Sequence, residues 1–177
     1  MREIIITRDL TWEWVESQVD KIGMWLDCQE PIAYVTGLPR GGLIPAVLIS
    51  HRYKIKFISL AEAKLLPTRL RHKTLVVDDI CDTGGTLVKA ASLLKEKGAR
   101  TVRALITHPV LSGKAYENIE NSILEELVVC DTIPLKHPSS KIKVITVADL
   151  FAIAIRNAYE NKSITSLFVH SQLKARS

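Results

Sequence analysis

Short apolar runs alternate with amphipathic stretches along most of this chain, and the alternation is its main structural signal. Apolar runs bounded by Gly, Pro or charged residues predict buried strands, because a strand covered on both faces shows no polar alternation. By this criterion, strands are predicted at residues 32–36, 56–59, 74–77, 101–107, 126–130 and 141–146.

Apolar residues spaced three and four apart predict helices between these strands. Helices are predicted at residues 11–26, 43–50, 61–65, 86–97, 111–121 and 147–159. Thr146 and Asp149 resemble a capping box at the start of the last of them. Strands alternating with helices indicate an α/β fold with a three-layer parallel sheet and helices on both faces. We expect residues 1–177 to form a single domain, with residues 163–177 as a C-terminal tail.

Polar and small residues follow the apolar run 74–77 and form the most informative stretch of the chain. Two carboxylates, Asp78 and Asp79, come first, and an Asp-Thr-Gly-Gly-Thr turn then leads into the helix near Thr86. Glycines let the backbone approach a ligand closely, and the free N–H groups of a first helical turn favour an anion. The residues predicted to form a phosphate cradle are Cys81, Asp82, Thr83, Gly84, Gly85 and Thr86.

Asp78 and Asp79 suit a different part of the same ligand, because carboxylates repel phosphate. We expect them to accept hydrogen bonds from ribose hydroxyls or to contact Mg²⁺. The alternative interpretation is an ordinary turn between a strand and a helix, with acidic residues that only aid solubility.

A second glycine-rich turn follows the strand predicted at residues 32–36. It contains Pro39, Arg40, Gly41 and Gly42, and the Arg40 guanidinium presents a fork of donors that suits phosphate oxygens. Taken alone, this stretch would be interpreted as an ordinary turn with an exposed arginine. Both turns, and His108 after a later strand, follow the carboxyl ends of parallel strands, where ligands bind in such sheets. We therefore expect one shared site.

Composition narrows the range of functions. The chain has 47% hydrophobic and 24% charged residues, and its net charge of +5 suits anionic substrates without indicating a nucleic-acid-binding protein. The three cysteines, of which Cys81 lies in the central turn, show no CxxC spacing that would suggest a zinc site. Residues 1–7 are too short an apolar start for a signal peptide, and no run is long enough to span a membrane, so we expect a cytoplasmic location.

Residues 76–87 resemble the phosphoribosyl pyrophosphate (PRPP) motif of type I phosphoribosyltransferases and PRPP synthetases. Residues 9–90 resemble the hypoxanthine, xanthine and guanine phosphoribosyltransferases, notably in the Arg-Gly-Gly-Leu-Ile-Pro-Ala run from Arg40. Residues 98–168 resemble instead the C-terminal part of PRPP synthetases, notably in Thr-His at 107–108, Leu-Ser-Gly at 111–113 and Asp-Thr-Ile-Pro at 131–134.

The resemblance implies a type I phosphoribosyltransferase fold with a reduced or atypical hood, and a homo-oligomer. It also implies a purine phosphoribosyltransferase that uses Mg²⁺-PRPP and releases pyrophosphate. In that reaction Pro39, Arg40 and the following glycines would hold the pyrophosphate. Asp82 would either take the acceptor's proton or shape the loop, and His108 would contact the base. Family members often carry a cis peptide in the pyrophosphate loop, which here would precede Arg40.

Two further functions follow from the same resemblance. The chain would be a PRPP synthetase half that transfers diphosphate from ATP to ribose 5-phosphate, or a regulatory protein that binds PRPP or a nucleotide without turnover. The connection at residues 60–73, which is short for a catalytic lid, and the unrecognised base-binding part favour the regulatory alternative.

Overall fold

The computed structural model describes residues 32–39, 41–65 and 72–163, and every structural statement concerns these residues. Six parallel strands of the described chain form one sheet in the order β2-β1-β3-β4-β5-β6. The strands are β1 Ile32–Gly37, β2 Lys56–Phe57, β3 Lys73–Cys81, β4 Val102–Pro109, β5 Glu126–Cys130 and β6 Ile142–Ile145. The helices are α1 Leu43–Tyr53, α2 Leu60–Leu65, α3 Gly85–Glu96, α4 Ala115–Glu120 and α5 Ala148–Tyr159.

Two apolar clusters cover the two faces of the sheet. Leu75 and Val77 of β3 pack with Ala46 of α1 in one cluster, whereas Val76 packs with Leu87 of α3 and Ile119 of α4 in the other. Successive residues of a strand point to opposite faces, so this division follows directly from the sequence of β3. The predicted α/β architecture, a parallel sheet with helices on both faces, is confirmed.

The chain divides into two compact units, one of residues 22–146 and one of residues 1–21 together with 147–177. The first contains the sheet and α1 to α4; in the second, the described residues form α5 and the short segment that follows it. Among the described helices, none combines the length and the apolar content that crossing a membrane requires. The single-domain assignment stays a prediction, and the helix at 11–26, Cys28 and nearly all of the tail lie outside the described residues.

Several predicted boundaries were wrong for identifiable reasons. β3 continues through Asp78 and Asp79 to Cys81, because Ile80 and Cys81 still pair with His108 and Pro109 of β4. α4 begins at Ala115 rather than at residue 111, since Leu111 and Gly113 have positive φ angles that no α-helix accommodates.

The predicted capping box at the start of α5 was also wrong. Val147 occupies the N-cap position and makes no side-chain capping hydrogen bond. The helix therefore begins one residue later than the capping box required.

The turn between β1 and α1 is packed directly onto the end of β3. The Leu38 N–H donates to the Val77 carbonyl at 2.9 Å. A Cβ atom on Gly42 would overlap that same carbonyl oxygen and would lie 2.7 Å from the Leu38 nitrogen. Only a glycine allows this approach, so the second glycine-rich turn of the sequence has a structural requirement of its own.

We expect Gly42→Ala to lower the free energy of unfolding by roughly 1–3 kcal/mol, the usual cost of forcing extra atoms into a packed region. Gly85→Ala is the matched control, because a Cβ there would meet only the Thr83 hydroxyl, at 3.8 Å. Urea denaturation of both variants measures the difference. Equal stability of the two would contradict the packing described for Gly42.

Candidate functional site

The loop from Cys81 to α3 lies at the carboxyl end of β3, where a phosphate cradle was predicted. Gly84 has φ +75°, a left-handed conformation that suits glycine, and the helix starts at the next residue. The first helical hydrogen bond runs from the Val88 N–H to the Gly84 carbonyl, at 3.0 Å. The predicted turn and helix start are therefore present, and Thr83 and Thr86 are exposed on them.

The backbone N–H groups of this loop are its main chemical feature. Within the described chain, those of Asp82, Thr83, Gly85 and Thr86 donate no hydrogen bond to a backbone carbonyl. Free N–H groups at the start of a helix favour an anion, and the positive end of the helix dipole adds to the attraction. The loop thus has the donors that a phosphate group requires.

Asp78 and Asp79 lie side by side at the end of β3. The Asp79 N–H donates to Asp78 Oδ1 at 3.0 Å, and the Ile80 N–H donates to Asp79 Oδ1 at 2.9 Å. Burial raises the pKa of Asp78 to about 6; the hydrogen bond from the Asp79 N–H opposes this shift, and the Asp79 side chain adds to it. Negative charge on Asp78 is therefore unfavourable in the free protein, and a nearby cation or hydroxyl donors would stabilise it.

The carboxylates of Asp78 and Asp79 are suitable ligands for Mg²⁺, in the way that proteins usually bind this ion beside phosphates. Mg²⁺ takes one or two protein carboxylates and completes its shell with water and substrate oxygens. Asp78 and Asp79 supply two such carboxylates, and among the described residues no group of three or more His, Cys, Asp or Glu side chains forms a complete metal cage.

The β1–α1 turn brings the second predicted group of residues to the same place. A Cβ atom on Gly41 would overlap the Asp79 carboxylate, so this turn lies directly against the polar end of β3. Pro39 is exposed at the start of this turn, and Gly42 is buried against Val77. Arg40 and the peptide bond preceding it lie outside the described residues. This contact places Gly41 against the acidic pair, as the shared site requires.

Asp82 is engaged by the loop that follows β4. The Ser112 hydroxyl donates to Asp82 Oδ1, and the Ser112 N–H donates to the Asp82 carbonyl at 3.0 Å. Of the two roles considered for Asp82, these contacts favour shaping the loop. Nothing in the sequence pattern pointed to Ser112 as its partner, although Ser112 follows the strand adjacent to β3.

His108 forms a defined hydrogen-bond chain at the end of β4. The Thr132 hydroxyl donates to the Thr107 carbonyl at 2.9 Å, and His108 Nδ1 lies 2.9 Å from the same hydroxyl oxygen. A hydroxyl has one proton, which Thr132 gives to Thr107, so His108 Nδ1 must be the donor. The neutral ring therefore keeps its Nε2 lone pair available. Thr132 was not among the predicted site residues.

Cys81 is buried beside the loop, and its thiol is in the unreactive protonated form. Burial raises the pKa of its thiol to about 11, and the Asp78 and Asp82 carboxylates add to the shift. The reactive form of cysteine is the thiolate. Cys81 therefore contributes packing and its backbone to the loop.

The strand order explains why these groups meet. In a doubly wound sheet with the order 2-1-3-4-5, the chain changes direction between β1 and β3, and ligands bind in the crevice outside their carboxyl ends. Here the turn that contains Gly41 and Gly42 follows β1, and the loop of residues 82–86 follows β3, its neighbour. Fold and site together define a type I phosphoribosyltransferase-like protein. Residues 71–169 match the family model of the phosphoribosyl synthetase-associated domain, and the chain belongs to that family.

Curated relatives show the same relationship. The chain is 61% identical over 95 residues to the ribose-phosphate pyrophosphokinase of Wolinella succinogenes, which covers 54% of this chain and 31% of that protein. It is 41% identical over 122 residues to that of Porphyromonas gingivalis, covering 69% of this chain and 39% of that protein. The chain thus spans about a third of the length of these relatives.

Solved structures agree on the fold. The crystal structure of phosphoribosylpyrophosphate synthetase from Mycobacterium smegmatis superposes with a TM-score of 0.66 at 26% identity, over 82% of this chain and 51% of that chain. An adenine phosphoribosyltransferase superposes with a TM-score of 0.50 at 15% identity, over 63% of this chain and 78% of that one. The predicted relationship to PRPP synthetases and the predicted type I phosphoribosyltransferase fold are confirmed.

We expect neutral His108 to be the Nδ1–H tautomer, because Thr132 offers Nδ1 only an acceptor. Two-dimensional ¹H–¹⁵N NMR of the imidazole nitrogens distinguishes the two tautomers. Thr132→Val should remove the preference, whereas Thr132→Ser should retain it. A dominant Nε2–H tautomer in the wild-type protein would contradict the assignment.

Proposed function

We propose that this chain binds ribose 5-phosphate and takes part in ribose-phosphate diphosphokinase chemistry. The observation that carries the proposal is the family match over residues 71–169, which includes Asp78, Asp79 and the whole loop of residues 82–86, called the phosphate loop below. The 61% identity over 95 residues to a ribose-phosphate pyrophosphokinase supports it. In that reaction the anomeric oxygen of ribose 5-phosphate attacks the β-phosphorus of ATP. The new O–P bond forms as the bond to the α-phosphate oxygen breaks, AMP leaves, and the hydroxyl proton passes to solvent.

The 5-phosphate is assigned to the loop of residues 82–86. Its free N–H groups and the N-terminus of α3 provide fixed donors, and the exposed Thr83 and Thr86 hydroxyls add two more. Such a site favours a dianion and needs no charged side chain. It would orient the sugar so that its anomeric end lies away from α3.

The ribose hydroxyls are assigned to Asp78 and Asp79. Each carboxylate has one oxygen engaged by a backbone N–H, which fixes its orientation and leaves the other to accept from a hydroxyl. The same free oxygens would hold Mg²⁺, which neutralises charge on the diphosphate when it is bound. Pro39, Arg40, Gly41 and Gly42 would then lie next to the diphosphate, because Gly41 contacts Asp79.

Phosphoribosyl transfer is the second candidate. The contact between the Gly41 turn and Asp79 favours it, since a transferase must hold the pyrophosphate of PRPP beside the ribose hydroxyls as that group leaves. A purine base is the proposed acceptor, and the available Nε2 of His108 would contact it. Assembly as a homo-oligomer stays a prediction.

One set of assays separates these functions on the purified chain with Mg²⁺. ATP with ribose 5-phosphate should yield AMP if the first proposal is correct. PRPP with each free base should release pyrophosphate if the second is correct. Binding of ribose 5-phosphate or PRPP in calorimetry without either product would identify a regulatory binding protein. Failure to bind both ligands would overturn all three functions.

We expect the double variant Asp78→Asn and Asp79→Asn to bind ribose 5-phosphate about a hundredfold more weakly, because two hydrogen bonds to charged acceptors become neutral ones, each worth roughly 1.5 kcal/mol. Calorimetry in Mg²⁺ measures the affinity. Glu96→Gln, which neutralises an exposed carboxylate at the far end of α3, is the matched control. An unchanged affinity in the double variant would refute the role given to the pair.

A further inference from the structure

We propose that residues 111–118 are the positioning element of the phosphate loop, with Ser112 and Asn118 as its positioning residues. On this proposal Asp82 serves as an acceptor that holds the loop, and it does not move a proton. The functional part of this inference rests on the proposed binding of a 5-phosphate. Its structural part concerns the free protein and is tested there.

Three consecutive carbonyl groups of the loop are held by this one segment. The Leu111 N–H donates to the Cys81 carbonyl at 3.1 Å, and the Ser112 N–H donates to the Asp82 carbonyl at 3.0 Å. Asn118 Nδ2 donates to the Thr83 carbonyl at 2.8 Å. The Ser112 hydroxyl adds a fourth bond, to Asp82 Oδ1.

These bonds determine where the loop's own donors point. In a trans peptide, the carbonyl of one residue and the N–H of the next lie in one plane and point in opposite directions. Fixing the Cys81 and Asp82 carbonyls toward residues 111–112 therefore directs the N–H groups of Asp82 and Thr83 away from that segment. The N–H groups assigned to the phosphate are therefore oriented through the loop's own carbonyl groups, which point to the opposite side and are held there.

The backbone of Leu111 makes this arrangement possible. Consecutive N–H groups of an extended chain point in opposite directions, yet those of Leu111 and Ser112 reach neighbouring carbonyls. Leu111 adopts φ +46°, which turns the chain between them. Its side chain is 2% exposed, so core packing holds a conformation that leucine rarely adopts.

The other end of the segment is anchored independently. Ala115 and Ile119 of α4 are fully buried, and Lys141 Nζ donates to the Ser122 carbonyl, at 2.6 Å, and to the Ile119 carbonyl, at 3.3 Å. The charged amine thus caps the carboxyl end of α4. Because α4 is fixed in this way, Asn118 presents its amide at a constant position.

Rigid loop amides matter because a flexible loop must be ordered when the ligand binds. Fixing the backbone of each residue costs conformational entropy, so a loop that is ordered beforehand binds more tightly. Losing one of the four bonds should weaken phosphate binding without removing any group that touches the ligand.

Backbone ¹⁵N relaxation of the free protein tests the structural part. We expect order parameters of about 0.85 at Thr83 and Gly84 in the wild type, and values below about 0.6 in Ser112→Ala and Asn118→Ala. Ser112→Thr should restore the hydroxyl bond and the rigid values. Ser92→Ala, which removes a half-buried serine hydroxyl on α3, is the control. Unchanged order parameters in both alanine variants would overturn the proposal, whether or not a ligand binds.

Asp82 provides a second test in the same experiment. Asp82→Asn keeps an oxygen for the Ser112 hydroxyl and should keep the loop rigid, whereas Asp82→Ala should not. Calorimetry with ribose 5-phosphate should show about tenfold weaker binding for Ser112→Ala, Asn118→Ala and Asp82→Ala, and a much smaller loss for Asp82→Asn. Equal losses in the two Asp82 variants would overturn its role as an acceptor. A wild-type protein that binds neither ribose 5-phosphate nor PRPP would refute the proposed function alone, because the relaxation results would still decide the positioning.

Discussion

The backbone pairing of β3 beyond the apolar core is the constraint on which the rest of the site depends. β3 is paired with β1 on one side and with β4 on the other, and its ladder with β4 continues past Asp78 to Cys81. Backbone pairing with β4, together with the burial of Cys81, holds this polar end in place. The loops that follow β1, β3 and β4 must therefore converge on one edge of the sheet, and each supplies one part of the site.

Each loop contributes a different kind of group, and the sequence explains why. The β1 loop contributes a close-packed glycine turn. The end of β3 contributes carboxylates, and the loop after it contributes N–H donors. The β4 loop contributes hydrogen bonds that support the β3 loop. A phosphorylated sugar presents matching parts: a dianion, hydroxyls and a reactive end. Membership of the phosphoribosyl synthetase-associated family is thus consistent with the polar groups at the carboxyl ends of the strands, and not only with the strand order of the sheet.

The sequence predicted the groups that would touch a ligand better than the groups that hold them. The glycine turns, the acidic pair and the helix start near Thr86 follow from short local patterns, and all were found where expected among the described residues. Ser112, Asn118 and Thr132 were missed because their partners lie more than twenty residues away, and no local spacing encodes such pairs. The predicted element boundaries were also wrong where local spacing carried no signal. β3 extends further than predicted because it pairs with β4, and α4 begins later than predicted because two residues before it have positive φ angles.

Leu111 combines two demands that neither glycine nor a β-branched residue satisfies together. Its buried side chain fills the core, while its backbone holds an angle natural to glycine. Replacement by glycine would relax the backbone and open a void; replacement by a β-branched residue would preserve bulk and worsen the torsional conflict. Position 111 therefore makes the geometry of the neighbouring loop depend on the packing of one core side chain.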